Sequence, residues 1–487
     1  GDRDLPLRQR TLRTTISWSY SLLDAQEQRL LRRLSVFHDG WTLKAMEQVC
    51  YPDDERYRAL DELESLVEKG LVRVIGSGER YGLLETIRAF AAEQLHAEGS
   101  VDEARRAHAD HFVNAAVRIG ADFKTPQQLD AMKRARDENA NTLAAVQCLG
   151  TAARAGDDGA IQKGLLLCGN LLWPWHINGQ HLTALAEVGP FLDLAEGRPA
   201  SEGRVLSLLI QAMSLSSTGD WDGHLRDANK ALQDAEELGD DALVAEALLH
   251  TGYVLLSTGR LEEARAALAD SVKRAERSGA EFMHALGLSI ESMCVFLLGD
   301  LPAGVELAES ALRIQRRIGD YEGRGLALSF LAQMSFAQGD HAGAMERFDE
   351  ALQSFGTVGD RPEMARLYCE MGWAALGAQD NAEARASFVR AVRAYEEVGS
   401  PRGTGMALMG LAAVDAAEGL NERAVTIAAA AEELSARAGV VVEHPMDPQV
   451  AERIESLKAA IPQGALAGLE AEAKELTPAA VLGMVAA

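Results

Sequence analysis

Residues 239–300 read GDDALVAEALLHTGYVLLSTGRLEEARAALADSVKRAERSGAEFMHALGLSIESMCVFLLGD. Glycine stands at 239, 259, 279 and 299, and two of these four are followed by Asp. The lattice extends both ways, through Gly219 on one side and Gly319, Gly339, Gly359, Gly399, Gly419 and Gly439 on the other. Gly179 continues it backward, and Gln379 is the one break after Gly219. A Gly every twenty residues has a mechanical meaning. Gly ends one helix in a left-handed turn, and Asp, as in Gly219-Asp220 or Gly359-Asp360, then caps the next. Each forty-residue unit is therefore expected to be two helices of roughly 16 residues joined by short turns.

Small and large residues recur in the same register. Leu248, Gly252, Leu255, Ala264, Leu268 and Ser271 become Leu288, Ser292, Val295, Gly304, Ala308 and Ala311 forty residues on. The next units give Leu328, Ala332, Ser335, Ala344, Phe348, Ala351 and then Tyr368, Gly372, Ala375, Ala384, Phe388, Ala391. This spacing resembles the tetratricopeptide (TPR) consensus, with helices longer than its usual repeat of about thirty-four residues allows. The pattern predicts a mainly α fold, in which a TPR-like superhelix spans 160–439. Six repeats are clear from 200, and a degenerate one precedes them.

A repeat array binds through its curved face. By the TPR resemblance, the residue after the small one on each first helix faces inward: Trp173, Met213, Tyr253, Met293, Gln333, Trp373 and Ala413. His176, Leu256, Phe296, Phe336 and Leu376 are the neighbouring inner positions. Two readings stand for this stripe. It packs as core between long helices, or it lines a groove for an apolar ligand or an amphipathic segment. The degenerate end, near Trp173 and His176, is the expected opening.

Composition narrows the function. The 487 residues carry 48 basic and 73 acidic side chains, a net charge of −25, which opposes nonspecific binding to nucleic acid or anionic membrane. Apolar residues make up 47% and aromatics only 5%, as packed helices rich in Ala and Leu require. No continuous apolar stretch is long enough for a membrane span. The five cysteines are scattered and form no CxxC pair, which fits neither a disulfide framework nor a zinc knuckle, and suits a cytoplasmic location. The chain starts Gly-Asp-Arg-Asp without Met, and reads as a fragment whose upstream part is missing.

Residues 1–100 have a different texture. Helical patterns cover 11–22, 24–36, 42–50 and 56–69, with Asp24 as an N-cap. Two short apolar runs, Leu71 to Ile75 and Arg80 to Leu84, flank Gly76-Ser77-Gly78, and a helix follows from Glu85 to Glu98. Helices followed by a two-stranded hairpin predict a winged-helix domain. The helix before the wing, Glu55 to Lys69, bears three basic against five acidic residues, and 201–487 bears 24 against 44. Phosphate would repel such a helix, so DNA binding is disfavoured. The basic arm Arg3, Arg8, Arg10 and Arg13 is broken up by Asp2 and Asp4 and reads as a solvated or interdomain segment. A helical linker is expected over 101–159, and a helical tail over 440–487.

The wording of Arg8 to Leu12, Ile16-Ser17-Trp18-Ser19-Tyr20-Ser21-Leu22-Leu23, Leu34 to Phe37, Gly40 to Leu43 and Tyr81 to Ala91 resembles the winged-helix region of bacterial STAND-type signalling ATPases. Asp137-Glu138-Asn139-Ala140-Asn141 resembles that family's linker into its repeats, and Leu476 to Val481 its natural end. The resemblance implies an upstream NTPase module that binds ATP or ADP, and a sensor superhelix that binds a protein, peptide or small-molecule inducer. It further implies that Leu84 and Glu85, aligned with a nucleotide-contacting motif of related regulators, face that module. The 487 residues contain no G-x-x-x-x-G-K-[ST], so this segment is expected to be noncatalytic and without cofactor of its own. The rival functions are a constitutive TPR interaction scaffold and a DNA-binding transcriptional regulator. His108 and His111 read as solvated helix residues, His176 and His181 as helix-end or groove residues, and no metal site is expected.

Overall fold

The computed structural model describes residues 7–51, 53–76, 78–437 and 448–486, with side chains from 13–51, 55–76, 78–437 and 452–485. Arg3, the side chains of Arg8 and Arg10, and Gly439 lie outside these. The chain divides into two compact units. One holds the N-terminal residues through Asp122 together with Asp130–Leu172 and Ala186–Ser207; the other holds Phe123–Leu129, Trp173–Leu185 and residues from Leu208 onward.

The first unit opens with α1 (Leu7–Ser21), α2 (Ala25–Leu34), β1 (Trp41–Thr42), α3 (Leu43–Cys50), a 3-10 turn over Asp53–Arg58 and α4 (Ala59–Glu68). The wing, β2 (Arg73–Ile75) and β3 (Arg80–Gly82), leads into α5 (Glu85–Glu98). Asp24 closes a capping box: it accepts from the N–H groups of Gln26 and Glu27, while Glu27 accepts from Asp24 N–H at 2.9 Å. The expected two-stranded hairpin gains a third strand. β1 pairs antiparallel with β3, and β3 with β2, in the order β1-β3-β2, with Trp41 opposite Tyr81. The hairpin strands are shorter than their apolar runs, because Leu71 and Val72 turn inward and are buried while Leu83 and Leu84 lead into α5. Gly40 enters β1 at φ 98°, and a Cβ there would lie 2.5 Å from the Tyr81 carbonyl oxygen, so no other residue fits. Leu30, Leu31, Leu34, Phe37, Trp41, Met46 and Leu63 form the core.

Next come α6 (Val101–Phe123), α7 (Gln128–Asp137), α8 (Asn139–Arg154), α9 (Asp158–Gly169), α10 (Leu172–Ile177) and α11 (His181–Leu194). The Asp137–Asn141 stretch fastens the wing region of its own unit. Arg80 ion-pairs with Glu138 and donates to the Asp137 carbonyl at 3.0 Å. The fully buried Asn141 accepts from His38 N–H at 2.7 Å and donates to the Gly40 carbonyl at 2.9 Å.

From Glu202 to Arg437 the described helices alternate without interruption: α12 (Glu202–Ser217), α13 (Trp221–Leu238), α14 (Asp241–Ser257), α15 (Leu261–Ser278), α16 (Glu281–Leu297), α17 (Leu301–Ile318), α18 (Tyr321–Ala337), α19 (His341–Val358), α20 (Arg361–Gly377), α21 (Asn381–Glu397), α22 (Pro401–Ala417) and α23 (Asn421–Arg437). In the second unit, successive helices pack as hairpins and each hairpin packs on the next, which is the repeat architecture that the Gly-Asp lattice implied. Asp220, Asp240, Asp300, Asp320, Asp340, Asp360 and Asp380 each cap the following helix through the side chain. The break in the lattice is chemical and not structural, since Gln379 takes the same left-handed turn, at φ 63°. Large residues fill the space over small ones: Phe388 lies against both Gly372 and Gly410, where added Cβ atoms would meet its ring at 2.7 and 2.2 Å. Three further helices, α24 (Pro448–Ala460), α25 (Gln463–Ala473) and α26 (Pro478–Ala486), close the last hairpin, and Ile454, Ala473 and Val481 join its core.

Candidate functional site

The inner stripe divides between core and surface. Trp373 is 7% exposed and meets Phe388 edge-on, with ring centroids 5.0 Å apart; Met293 is equally buried. Tyr253 is 38% exposed, while Met213, Phe296, Gln333 and Phe336 are half-buried, as are Leu256 and Leu376. Four large apolar stripe residues on three successive first helices (Tyr253, Leu256, Phe296 and Phe336) thus present part of their surface.

The expected opening at Trp173 is closed, a correction with a clear physical cause. Phe123, which belongs to the same unit, stacks on the Trp173 indole at 5.9 Å with the planes 3° apart, and Phe282 packs against it edge-on at 5.4 Å. Trp173 is core, and His176 beside it is half-buried. The turn after Phe123 is held by two repeats of that unit. Lys124 ion-pairs with the buried Glu246 of α14 at 2.8 Å. Gln128 donates to Asp320 at 2.8 Å and accepts from Tyr321 N–H at 2.8 Å, completing the start of α18.

Beneath this turn lies a group of buried charges that the sequence did not announce. Arg366 of α20 pairs with Glu363, its Nε 2.7 Å from Oε2, and with Glu370. Glu322 at the start of α18 and Asp360 at the start of α20 are buried, and one donor atom each from His176, Glu322 and Asp360 lie within 4.8 Å of one another. Burial first, and then the charge of Asp360, raise the Glu322 carboxyl well above the usual range. Burial and the charge of Glu363 do the same to Asp360. Burial also pushes Asp320 up to about 6, against the pull of its hydrogen bonds.

Other candidates resolve simply. Leu84 is exposed and begins α5 without a side-chain cap, and the exposed Glu85 pairs with Arg88 at 2.7 Å. On the helix before the wing, Arg58 is drawn to Glu62 at 3.1 Å, and Arg56 donates to the Glu47 carbonyl. His108 and His111 are not solvated. His108 is 2% exposed and lies 3.2 Å from Asn141 Oδ1, while His111 lies 2.8 Å from Gln48 Oε1. Ala104, His108 and Phe112 form one buried face of α6, so the histidine occupies a core position. Burial lowers both imidazoles to about 4. A cleft of about 670 Å³ in the first unit is lined by His38, Arg88, Arg105, Cys148 and Thr151 among others. No helix among the described residues is long and apolar enough to cross a membrane.

Comparison with known proteins agrees with this architecture. Residues 23–96 match the winged helix-turn-helix domain family, and residues 326–397 match the tetratricopeptide repeat family. The chain is 33% identical over 268 residues to the "Putative HTH-type transcriptional regulator Rv0890c" of Mycobacterium tuberculosis, a match covering 52% of this chain and 29% of that protein. A second M. tuberculosis protein, "Uncharacterized protein Rv0894", is 34% identical over 119 residues, covering 23% of this chain and 30% of its own length. This chain therefore spans about three-tenths of the length of these relatives. Among solved structures, it resembles the Signal Transduction ATPase with Numerous Domains (STAND) protein with a tetratricopeptide repeat sensor from Pyrococcus horikoshii. The TM-score is 0.51 at 16% identity, over 93% of this chain and 66% of that one, a likeness of fold.

Proposed function

We propose that this chain is the noncatalytic sensing part of a STAND-type signalling ATPase. In this reading the TPR array binds a protein or peptide inducer, and the winged helix passes that event to an NTPase module elsewhere in the protein. The observation that carries the reading is the partly open apolar stripe, Leu256, Phe296 and Phe336 at equivalent places on α14, α16 and α18, with Tyr253 three residues before Leu256. Aromatic side chains anchored in a rigid array supply contact area at little entropic cost. The acidic balance of 201–487 favours a partner with basic character around its apolar anchors.

Coupling then works as a population shift. An inducer that prefers one arrangement of the full-length protein moves the equilibrium by its difference in affinity, about 1.4 kcal/mol for each factor of ten. Leu84 and Glu85, exposed at the start of α5, are the proposed contact toward the NTPase module. A constitutive scaffold would bind through the same stripe but with equal affinity in every nucleotide state of the whole protein. DNA binding is the second reading, favoured by the winged helix-turn-helix match and the name of the M. tuberculosis relative. The acidic helix before the wing opposes it.

Two measurements on this chain test the assignment. Calorimetry with ATP and Mg²⁺ is expected to give no binding at micromolar concentrations, because no phosphate-cradling loop with its Lys occurs in the sequence. A gel shift with duplex DNA at physiological salt is expected to be blank at submicromolar protein. A salt-sensitive shift would transfer the function to the DNA-binding reading.

A further inference from the structure

We propose that His176, Glu322 and Asp360 form a binding site for a divalent transition-metal ion of the zinc class. The three come from separate parts of the second unit: α10, the first turn of α18 and the cap of α20. Their nearest donor atoms lie within 4.8 Å of one another. A tetrahedral ion with ligands at about 2.1 Å needs separations of ~3.4 Å, so small side-chain rotations close the shell and leave one position for water.

The donor atoms face one another. His176 Nδ1, Glu322 Oε2 and Asp360 Oδ2 are buried and receive no hydrogen bond from any other group; in the absence of an ion the two carboxyls share a proton between them, which a bound cation would displace. Glu322 is 7% exposed and Asp360 is fully buried, so solvent does not satisfy them. An isolated carboxylate in such a place is strongly disfavoured unless something positive faces it. The nearby cations are committed elsewhere. Arg366 is held by Glu363 and Glu370. Arg324 donates to Ser354 at 2.8 Å and lies over the Tyr321 ring. The neighbouring anion Asp320 accepts from Gln128 and from Gly323 N–H through one oxygen, and its other oxygen is buried without a partner. Arg366 draws on Asp360 only from a distance, so two carboxyl groups and an imidazole face one another with no cation in direct contact.

The orienting shell is also present. The second oxygen of Asp360 accepts from Glu363 N–H at 2.8 Å, which fixes the carboxylate while its free oxygen points to the cluster. The ligand set selects the ion: imidazole nitrogen with two carboxylate oxygens suits Zn²⁺, Co²⁺ or Mn²⁺, whereas Ca²⁺ and Mg²⁺ prefer oxygen alone. A bound ion would join α10 to two of the repeats, a structural role independent of the sensor reading.

The test is titration of chelator-treated protein with Zn²⁺ against a chromophoric competitor, repeated for the Glu322→Gln, Asp360→Asn double variant. The wild type is expected to bind one ion per chain at micromolar affinity or tighter. The double variant should bind at least roughly 10–100-fold more weakly, with unchanged circular dichroism, since Asn still caps α20 and Gln preserves shape. Should the double variant fail to fold, His176→Gln at the half-buried ligand serves in its place, with the same loss expected. Absence of stoichiometric binding in the wild type overturns the proposal. So does an affinity unchanged in the folded variant, which would place the ion elsewhere on the surface.

Discussion

Truncating Trp373 and Tyr253 separately distinguishes packing from surface within one stripe. Both occupy the same place in their repeats, yet Trp373 is 7% exposed and Tyr253 38%. An indole that buries about 200 Å² gains on the order of 5 kcal/mol from transfer at ~25 cal/mol per Å². Trp373→Ala forfeits most of that, together with an edge-on contact to Phe388 worth about 1 kcal/mol. Phe388 is wedged between Gly372 and Gly410 and cannot move far to fill the gap. The expected loss is therefore about 3–5 kcal/mol, the usual range for a large aromatic truncated in a core that relaxes little. Tyr253→Ala removes a side chain already partly in water, and about 1–2 kcal/mol is expected. Urea unfolding followed by far-ultraviolet circular dichroism measures both. Hydrogen exchange over α20–α22 tells whether the Trp373 loss is local to those repeats, as nearest-neighbour stability in an array requires. Equal midpoints for the two variants, or a Trp373→Ala loss below about 1 kcal/mol, would refute the division of the stripe into core and surface.

Two other outcomes follow from the same structure. Gln379→Gly should stabilise the protein by about 0.5–1 kcal/mol, because a left-handed φ strains any residue with a Cβ; a thermal midpoint that falls would contradict this. His108 titrates near 4 when folded against an ordinary value near 6.5, so the native state binds fewer protons across that window. Its contribution, roughly 3 kcal/mol at most, is fully present above pH 6.5 and is lost as pH falls toward 4. Urea midpoints measured between these pH values should fall less steeply in His108→Gln than in the wild type.

The repeat was legible because its signal is backbone chemistry. A left-handed Gly and a capping Asp must recur wherever helices turn tightly, and no tertiary contact overrides them. Gln379 marks the limit of that logic: the geometry persisted where the preferred residue did not. β1 escaped notice because two residues, Trp41 and Thr42, carry no periodicity, and only pairing with β3 makes them a strand. His108 is core because Ala104 and Phe112, four residues to either side, mark a buried face of its helix, a signal that a search for metal-ligand spacing does not weigh. The closure at Trp173 depends on Phe123, and the buried cluster on residues from three distant elements. Asp360 illustrates the difficulty. Sequence shows it as one more cap in the Gly-Asp lattice, and only the fold brings it beside Glu322 and His176.

The central claim is that the open part of the stripe is where a partner binds. Its most direct test places a photo-crosslinking amino acid at Tyr253, and separately at the exposed outer residue Glu309, in cells of the source organism. A discrete crosslinked partner is expected from position 253, lost when Phe296 and Phe336 are changed to Ala in a protein that still folds, and none from position 309. The same products from both positions, or a yield from 253 indifferent to Phe296 and Phe336, would contradict it.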